Sequence, residues 1–184
     1  MAEEQHDVIE LLLDQHEVVK DLMARIMTCA SDERAEPFEM LTRLLAVHET
    51  AEEEVVHPRI RRISERAAAL VQERLDEESK AKKVLADLES MDVSSSDFEL
   101  AFLAFQRDVE FHAESEENEI FPLLASDADA EERKSLGSML VAAEVFAPTH
   151  AHRPAPESAV GNMLVGPPIA VFDRVRDAIK DRRR

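Results

Sequence analysis

Apolar residues recur at helical spacing along most of the chain, and this periodicity predicts an all-α protein. The first helix is predicted at about 4–30, and the second begins near Pro37. The third is predicted at about 64–90, and the fourth follows a linker at 92–97 that offers N-cap residues. Pro58 is expected to kink or end the second helix, and the fourth is expected to end near Pro122.

Beyond the fourth helix the pattern weakens. A short fifth helix is predicted to about residue 145, capped by the residues at 127–129. From Ala147 onwards proline and glycine predict an irregular segment, and an amphipathic helix is expected at about 169–180. These features predict a four-helix bundle domain at 1–126 and a C-terminal extension at 127–184.

Two distant segments carry the same pattern of histidine, acid and proline. Each sets a His four residues before a Glu and ten before a Pro: His48, Glu52 and Pro58, then His112, Glu116 and Pro122. In a helix this spacing places each His and its Glu on one face. Aligning His16 with Glu78 also superposes the apolar stripes of the first and third helices. We therefore expect two tandem helical hairpins that form an up-down-up-down four-helix bundle.

Ionisable residues interrupt the apolar stripes at positions where core side chains are expected. They are His16, His48, Glu52, Glu78, His112 and Glu116. In a bundle these side chains converge near one level of the interior, where each unpaired charge costs several kcal/mol. A bound metal offsets that cost, and bundles build dinuclear iron or manganese sites from such ligands on facing helices. The sequence therefore predicts a metal site whose glutamates bridge two ions.

Composition excludes several other classes of partner and site. The formal net charge of −18 disfavours nucleic acid and anionic membrane surfaces. No window reaches the length of apolar chain that a membrane span requires, and the N-terminus does not resemble a secretory signal. The single Cys29 excludes a cysteine zinc site and an intramolecular disulfide. These observations predict a cytoplasmic location and leave the oligomeric state open.

The remaining ionisable residues have simpler interpretations. Glu49 is adjacent to His48 and is interpreted as a surface residue, with a minor ligand role as the alternative. His57 is expected to pack beside Pro58, and His6 is expected to be exposed. Cys29 is expected to fill core space. His150 and His152 are interpreted as loop residues, with contact at the open end of the site as the alternative, and four acids are expected on the surface: Glu53, Glu54, Glu117 and Glu119.

At about residues 5–125 the chain resembles the hemerythrin-like HHE cation-binding domain family. The resemblance rests on a His on the first helix, His-x-x-x-Glu on the second, and a second His-x-x-x-Glu before Phe-Pro. The fifth helix and the proline-rich tail resemble bacterial, notably actinobacterial, members. The resemblance implies two non-haem iron ions with an oxo or hydroxo bridge, bridging carboxylates from Glu52 and Glu116, and terminal imidazoles from His16, His48 and His112.

One position departs from the family pattern. The family usually has a His on the third helix where this chain has Glu78, and the flanking Arg74 and Lys82 offer no replacement. An anionic ligand is expected to stabilise ferric iron and to disfavour reversible oxygen carriage. It also leaves room for a small molecule or for a ligand from the tail.

The leading hypothesis is therefore a di-iron protein that binds, senses or detoxifies a small oxidant, namely O₂, H₂O₂ or nitric oxide. Catalase-like peroxide dismutation is the enzymatic version of it. The alternative is an iron store, donor or iron-responsive interaction module without turnover. A third hypothesis, a metal-free helical scaffold that binds a partner, predicts that replacing Glu52 or Glu116 by alanine changes stability little or raises it.

Overall fold

A computed structural model describes residues 6–147, and every regular element in that range is helical. The predicted helix at 169–180, His150 and His152 lie outside the described residues. The bounds, in chain order, are α1 Val8–Thr28, α2 Ala35–Ala51, α3 His57–Ile60, α4 Glu65–Leu88, α5 Ser96–Ser115, α6 Phe121–Asp127 and α7 Ala130–Phe146. A single 3₁₀ turn, Ser31–Glu33, connects α1 to α2. The all-α helical bundle predicted from the sequence is confirmed.

Helix starts follow the local chemistry of the chain. Asp7 caps α1 by accepting a hydrogen bond from the backbone N–H of Ile9 at 2.9 Å. Ser64, Ser95 and Asp129 do the same for α4, α5 and α7. Each side-chain oxygen satisfies an N–H that the first turn leaves unpaired. The capping residues predicted in the linkers before the fourth and fifth helices are therefore confirmed.

The predicted end of the helix near Pro122 is wrong, whereas the helix that contains Pro58 ends two residues after that proline. The helix containing His48 continues past Pro58 to Ile60, and the helix containing His112 continues past Pro122 to Asp127. Before each proline lies one π-helical turn, Glu52–Val56 or Glu116–Ile120. His57 donates its N–H to the carbonyl of Glu52, five residues back, and Phe121 does the same to Glu116. The wider turn accommodates a proline that has no N–H to donate, so the helix passes it without ending.

Two apolar clusters fill the interior, one on each side of the level at which the predicted site residues lie. One includes Leu22, Phe38 and Phe102, and the other includes Leu12, Ile60 and Leu124. Along α1, α2, α4 and α5 the chain passes from one cluster to the other at His16, His48, Glu78 and His112. The site is therefore enclosed by packed side chains at both ends.

The fifth predicted helix, α7, packs against α1 and α2. Gly137 lets it approach closely, because a Cβ there would collide with the backbone carbonyl of His6. Leu136 and Leu140 join the apolar cluster of Leu12. The division of the chain at residue 126 stays a prediction. Among the helices of residues 6–147, none is long and apolar enough to cross a bilayer.

Candidate metal centre

The structure brings all six predicted site residues together in the bundle interior. Three overlapping groups have donor atoms that lie within 4.8 Å of one another. They are His16, His48 and Glu116; Glu52, His57 and Glu116; and Glu78, His112 and Glu116. Glu116 belongs to every group, and its side chain is fully buried. This arrangement places one carboxylate between the donors of all three groups.

The distances between donor atoms are those of ligands that share an ion. His16 Nε2 lies 3.4 Å from Glu116 Oε2, and His112 Nε2 lies 3.4 Å from Glu116 Oε1. His48 Nε2 lies 3.5 Å from Glu52 Oε2. Two donors that each lie about 2.1 Å from one metal are separated by about 3.0–3.4 Å. These pairs are thus too far apart for strong hydrogen bonds and close to the separation that a metal requires.

Most of the buried donor atoms of the cluster have no hydrogen-bond partner among residues 6–147. They are Nε2 of His16, both ring nitrogens of His57, Nε2 of His112, Oε2 of Glu52 and both carboxylate oxygens of Glu78 and Glu116. An unpartnered buried polar atom costs about 1–3 kcal/mol, and more when it is charged. A set of nitrogen and oxygen donors that point at one another without hydrogen bonds therefore fits a bound cation. The His and Glu clusters suit metal binding.

The Nδ1 atoms of His16, His48 and His112 are held by partners outside the cluster. His16 donates from Nδ1 to Glu117 at 2.9 Å, and His112 donates to Glu77 at 3.0 Å. His48 Nδ1 lies 2.8 Å from Oε1 of Gln15. Each partner fixes the tautomer, so that the lone pair of Nε2 points into the site. This is the usual arrangement of metal-binding imidazoles.

The contact from Gln15 continues to α7. Gln15 Nε2 donates to Glu144 Oε1 at 2.6 Å, and the side chains of both residues are buried. Glu144 thereby fixes the orientation of the Gln15 amide, which presents its oxygen to His48. Helix α7 thus contributes to the site through one intermediate side chain.

Burial and neighbouring charges set the protonation of the cluster. Burial and the adjacent His16 lower the pKa of His48 to about 3, so this imidazole is neutral near pH 7 and can bind a metal. Burial, together with the charge of Glu116, raises the pKa of Glu52 well above its usual range. Burial by itself would raise the pKa of Glu116. The neighbouring His112 and His16 outweigh burial and hold this pKa well below its usual range. Between the two facing carboxylates, Glu116 is therefore the one that stays ionised.

Glu78 occupies the position predicted for it and is 1% exposed. Its Oε2 lies 3.8 Å from Nζ of Lys82, and its Oε1 lies 3.9 Å from Nε2 of His57. Burial, followed by the charge of Glu49, raises the pKa of Glu78 to about 10. Without a cation this carboxyl keeps its proton near pH 7. A bound metal would have to displace that proton.

His57 was missed as a site residue by the sequence analysis, which expected it to pack beside Pro58. It is 2% exposed, and its Nε2 lies 3.9 Å from carboxylate oxygens of both Glu78 and Glu116. The π-helical turn explains the error. Because this turn is wider than an α-helical one, His57 lies on the same helix face as Glu52, five residues before it. The only signal in the sequence is a His at that spacing before a proline.

Two acids interpreted as surface residues also contact the site. Glu49 is buried, and burial raises its pKa to about 7 despite an opposing contact with Lys82. Glu117 is half-buried and accepts the hydrogen bond from His16. The surface positions of Glu53, Glu54 and Glu119, and the exposure of His6, are confirmed. Cys29 is half-buried and belongs to neither apolar cluster, so its predicted role as core filler is wrong.

Comparisons with known proteins agree with this geometry. The family model described as "Hemerythrin HHE cation binding domain" matches residues 7–124. An uncharacterized hemerythrin-like protein, C869.06c of Schizosaccharomyces pombe, is 27% identical over 137 residues, which cover 74% of this chain and 68% of the relative.

A crystal structure shows the same fold. It is that of a hemerythrin HHE cation binding domain-containing protein from Mycobacterium kansasii, described as an Rv2633c homolog. The TM-score is 0.68 at 23% identity, and the match covers 76% of this chain and 85% of that one. A mycobacterial neighbour also agrees with the expected resemblance to actinobacterial members. Since the family model spans more than half of the chain and includes every residue of the clusters, the chain belongs to the hemerythrin HHE cation binding domain family.

Proposed function

We propose that this protein holds two non-haem iron ions and uses them to bind, sense or detoxify a small oxidant in the cytoplasm. The observation that carries the proposal is the set of unpartnered buried donors that meet at Glu116. One ion would be held by His16 and His48. The other would be held by Glu78 and His112, with His57 as an additional ligand, and Glu52 and Glu116 would bridge the two. Iron is preferred because the donors are imidazoles and carboxylates on facing helices of a bundle.

The protein's own residues prepare this site for redox chemistry. Bound iron supplies reversible electron transfer to a small oxidant. Glu78 adds a third carboxylate to the two bridging glutamates, which favours the ferric state. Glu77 and Glu117 accept hydrogen bonds from Nδ1 of His112 and His16 and thereby raise the basicity of these imidazoles, which also favours the ferric state. This environment favours turnover of an oxidant over reversible oxygen carriage.

Hydrogen peroxide is the oxidant that we favour, and dismutation to oxygen and water is the reaction. The two apolar clusters exclude bulk water from the site along the length of the bundle. A cytoplasmic location is consistent with a chain that has a single cysteine. O₂ and nitric oxide remain the other members of the proposed class.

The experiment that tests this proposal is a titration of the iron-loaded protein with each oxidant in turn. We expect H₂O₂ to change the iron absorption and to be consumed with release of oxygen, measured with an oxygen electrode. Glu116→Gln should abolish both signals, whereas Glu114→Gln, an exposed position on α5, should leave them intact. An iron-loaded protein that reacts with none of the three oxidants would contradict the proposal.

The alternative of an iron store or donor is less well supported. A donor must release its ion readily to a chelator or another protein. Here Glu117, Gln15 and Glu77 hold the imidazoles in a fixed orientation. Release of the iron would leave these buried donor atoms facing one another without partners, which costs free energy. Slow loss of iron to a chelator is expected on the redox proposal, and rapid, complete transfer is expected on the alternative.

A further inference from the structure

A cavity of about 270 Å³ lies among α1, α2, α4 and α5, beside the metal centre. Most of its wall is apolar, and the apolar lining comes from all four helices. It comprises Val19, Met23, Leu45, Ala81, Val84, Phe105, Val109, Phe111 and Ala113. The catalytic proposal above does not use this space.

The cavity connects the candidate metal centre with the protein surface. At its inner end it is lined by His16, His48, Glu78 and His112. At its outer end the exposed lining residues lie on α4 and α5. Two of these are large apolar side chains, since Val84 is 37% exposed and Phe111 is 61% exposed. An aromatic ring left in water at the rim of an apolar cavity indicates a surface that an apolar molecule covers.

The volume is too large for the small oxidants alone. A water molecule takes about 30 Å³ of liquid volume, and an engineered apolar cavity of about 150 Å³ binds benzene. The present cavity of about 270 Å³ therefore has space for a fused two-ring molecule. The rings of Phe105 and Phe111 and the thioether of Met23 are suitable contacts for an aromatic ligand.

The charges around the cavity select against anions. Among residues 6–147, its wall includes acids from α2, α4 and α5 and two lysines, Lys20 and Lys80. Lys20 is already engaged by Glu117 at 3.2 Å. The acids are Glu49, Glu77, Glu78, Asp108 and Glu110, and all of them except the protonated Glu78 can contribute negative charge near pH 7. A carboxylate or phosphate brought into this space meets an excess of like charge, whereas a neutral molecule does not.

We propose that this cavity is a binding site for a neutral aromatic molecule of about the size of indole, which enters between α4 and α5 and lies against the imidazoles. The site goes beyond the proposed reaction with a small oxidant. It does not require the metal, since its apolar wall is formed by the helices themselves. The occupant would control access to the metal centre from this side of the bundle.

Equilibrium dialysis of the full-length protein against indole tests the proposal directly. Free indole is read by its fluorescence in the protein-free chamber, so bound iron cannot quench the signal. We expect saturable binding of about one indole per chain, as one cavity of this size allows. Indole-3-acetate, which has the same rings and a carboxylate, should bind about tenfold more weakly or not at all.

Variants that fill the cavity provide the control. Ala81→Phe puts a ring into the space of the ligand and should weaken indole binding about tenfold or more. Ala104→Phe adds the same ring at an exposed position of α5 outside the cavity and should change binding less than about twofold. Val84→Phe, at the rim, serves as a second blocking variant should Ala81→Phe unfold, as judged by circular dichroism.

No saturable binding, or equal weakening by Ala81→Phe and Ala104→Phe, would overturn the proposal, as would tighter binding of indole-3-acetate than of indole. Iron content measured on the same samples keeps the two proposals separate. Indole binding without iron would contradict only the di-iron proposal, and iron without indole binding would contradict only this one.

Discussion

The two hairpins of the bundle, α1 with α2 and α4 with α5, follow one plan and differ where they contact the site. Lys20 of the first hairpin lies 3.2 Å from Glu117, which follows α5 and also accepts a hydrogen bond from His16. In the equivalent pair, Lys82 of the second hairpin lies 2.6 Å from Glu53, which follows α2. Where the first hairpin places an imidazole between such groups, the second places the carboxyl of Glu78.

This exchange brings three carboxyl groups close to Lys82, two of them from the first hairpin. Glu78, Glu53 and the buried Glu49 all lie close to Lys82. In the first hairpin the imidazole N–H donates to Glu117, so the carboxylate there has a partner. Glu78 can donate only while it is protonated, which agrees with its pKa near 10. The comparison teaches that a cation at Glu78 must displace a proton, whereas a cation at His16 meets a ring nitrogen that is already oriented.

The largest expected effect comes from removing the carboxylate that both halves share. Glu116→Ala should reduce bound iron from about two ions per chain to less than about one, because Glu116 contributes to all three donor groups. Glu52→Ala should cost less, since Glu52 belongs to one of those groups. Elemental analysis of iron-loaded protein is the measurement, with Glu114→Ala as control. Equal iron in Glu116→Ala and the parent chain would show that the halves do not share this ligand.

Next in size is a pH effect that belongs to the first hairpin, at Glu49 on α2. The counterpart of the buried Glu49 in the repeat is Ala113. Folding raises the pKa of Glu49 from 4.5 to about 7, so its neutral form is favoured in the folded state. Its contribution to the stability of the metal-free protein is fully present below pH 4.5 and is lost as the pH rises to about 7.

The loss amounts to about 3 kcal/mol at most. The free energy of unfolding in urea is measured at several pH values for the metal-free parent protein and for Glu49→Ala. The difference between the two pH curves gives the contribution of Glu49. We expect the variant to gain relative stability between pH 4.5 and 7. Parallel curves over that range would contradict the assigned burial and charge of Glu49.

The partners of the equivalent imidazoles give the third comparison. Gln15 holds His48 and Glu77 holds His112, at matching positions of the repeat. Gln15→Leu and Glu77→Leu should each lower metal affinity about 10–100-fold, because the imidazole loses its fixed tautomer. Glu77→Gln keeps an acceptor, as in the first hairpin, and should cost less than Glu77→Leu. Chelator competition measures all three, and equal losses in Glu77→Gln and Glu77→Leu would mean that charge, rather than orientation, matters.

The smallest effect is expected at His57, whose counterpart in the second hairpin is Phe121. His57→Phe makes the two hairpins alike, and Phe121 shows that the fold accepts a phenyl ring after the π-helical turn. We expect metal affinity to fall about tenfold or less, since other donors remain for the same ion. Thermal unfolding should show an intact fold. An unchanged affinity would remove His57 from the ligand set.

The sequence was sufficient for the bundle and for the residues of its interior. A His or Glu in an otherwise apolar stripe has few explanations, so His16 and Glu78 could be placed correctly from helical spacing alone. His57 could not be placed in this way, because a π-helical turn changes the helix face on which later residues lie. No simple sequence pattern predicts such a turn.

Long-range contacts were beyond the sequence for a related reason. Gln15 and Glu144 are 129 positions apart, and only the packing of α7 on α1 brings them together. Glu49 was interpreted as a surface residue because acids usually are exposed. Its burial follows from the contact with Lys82 on a neighbouring helix, which periodicity within one helix cannot predict.

The most direct test of the central claim is the metal content of the protein after anaerobic loading with ferrous iron, measured together with its visible absorption. The claim predicts about two irons per chain, as the two donor sets on either side of Glu116 require. It also predicts charge-transfer absorption that stands out clearly in a chain without Trp or Tyr. Absence of bound iron after loading, in protein that is folded by circular dichroism, would contradict the claim and favour the metal-free scaffold.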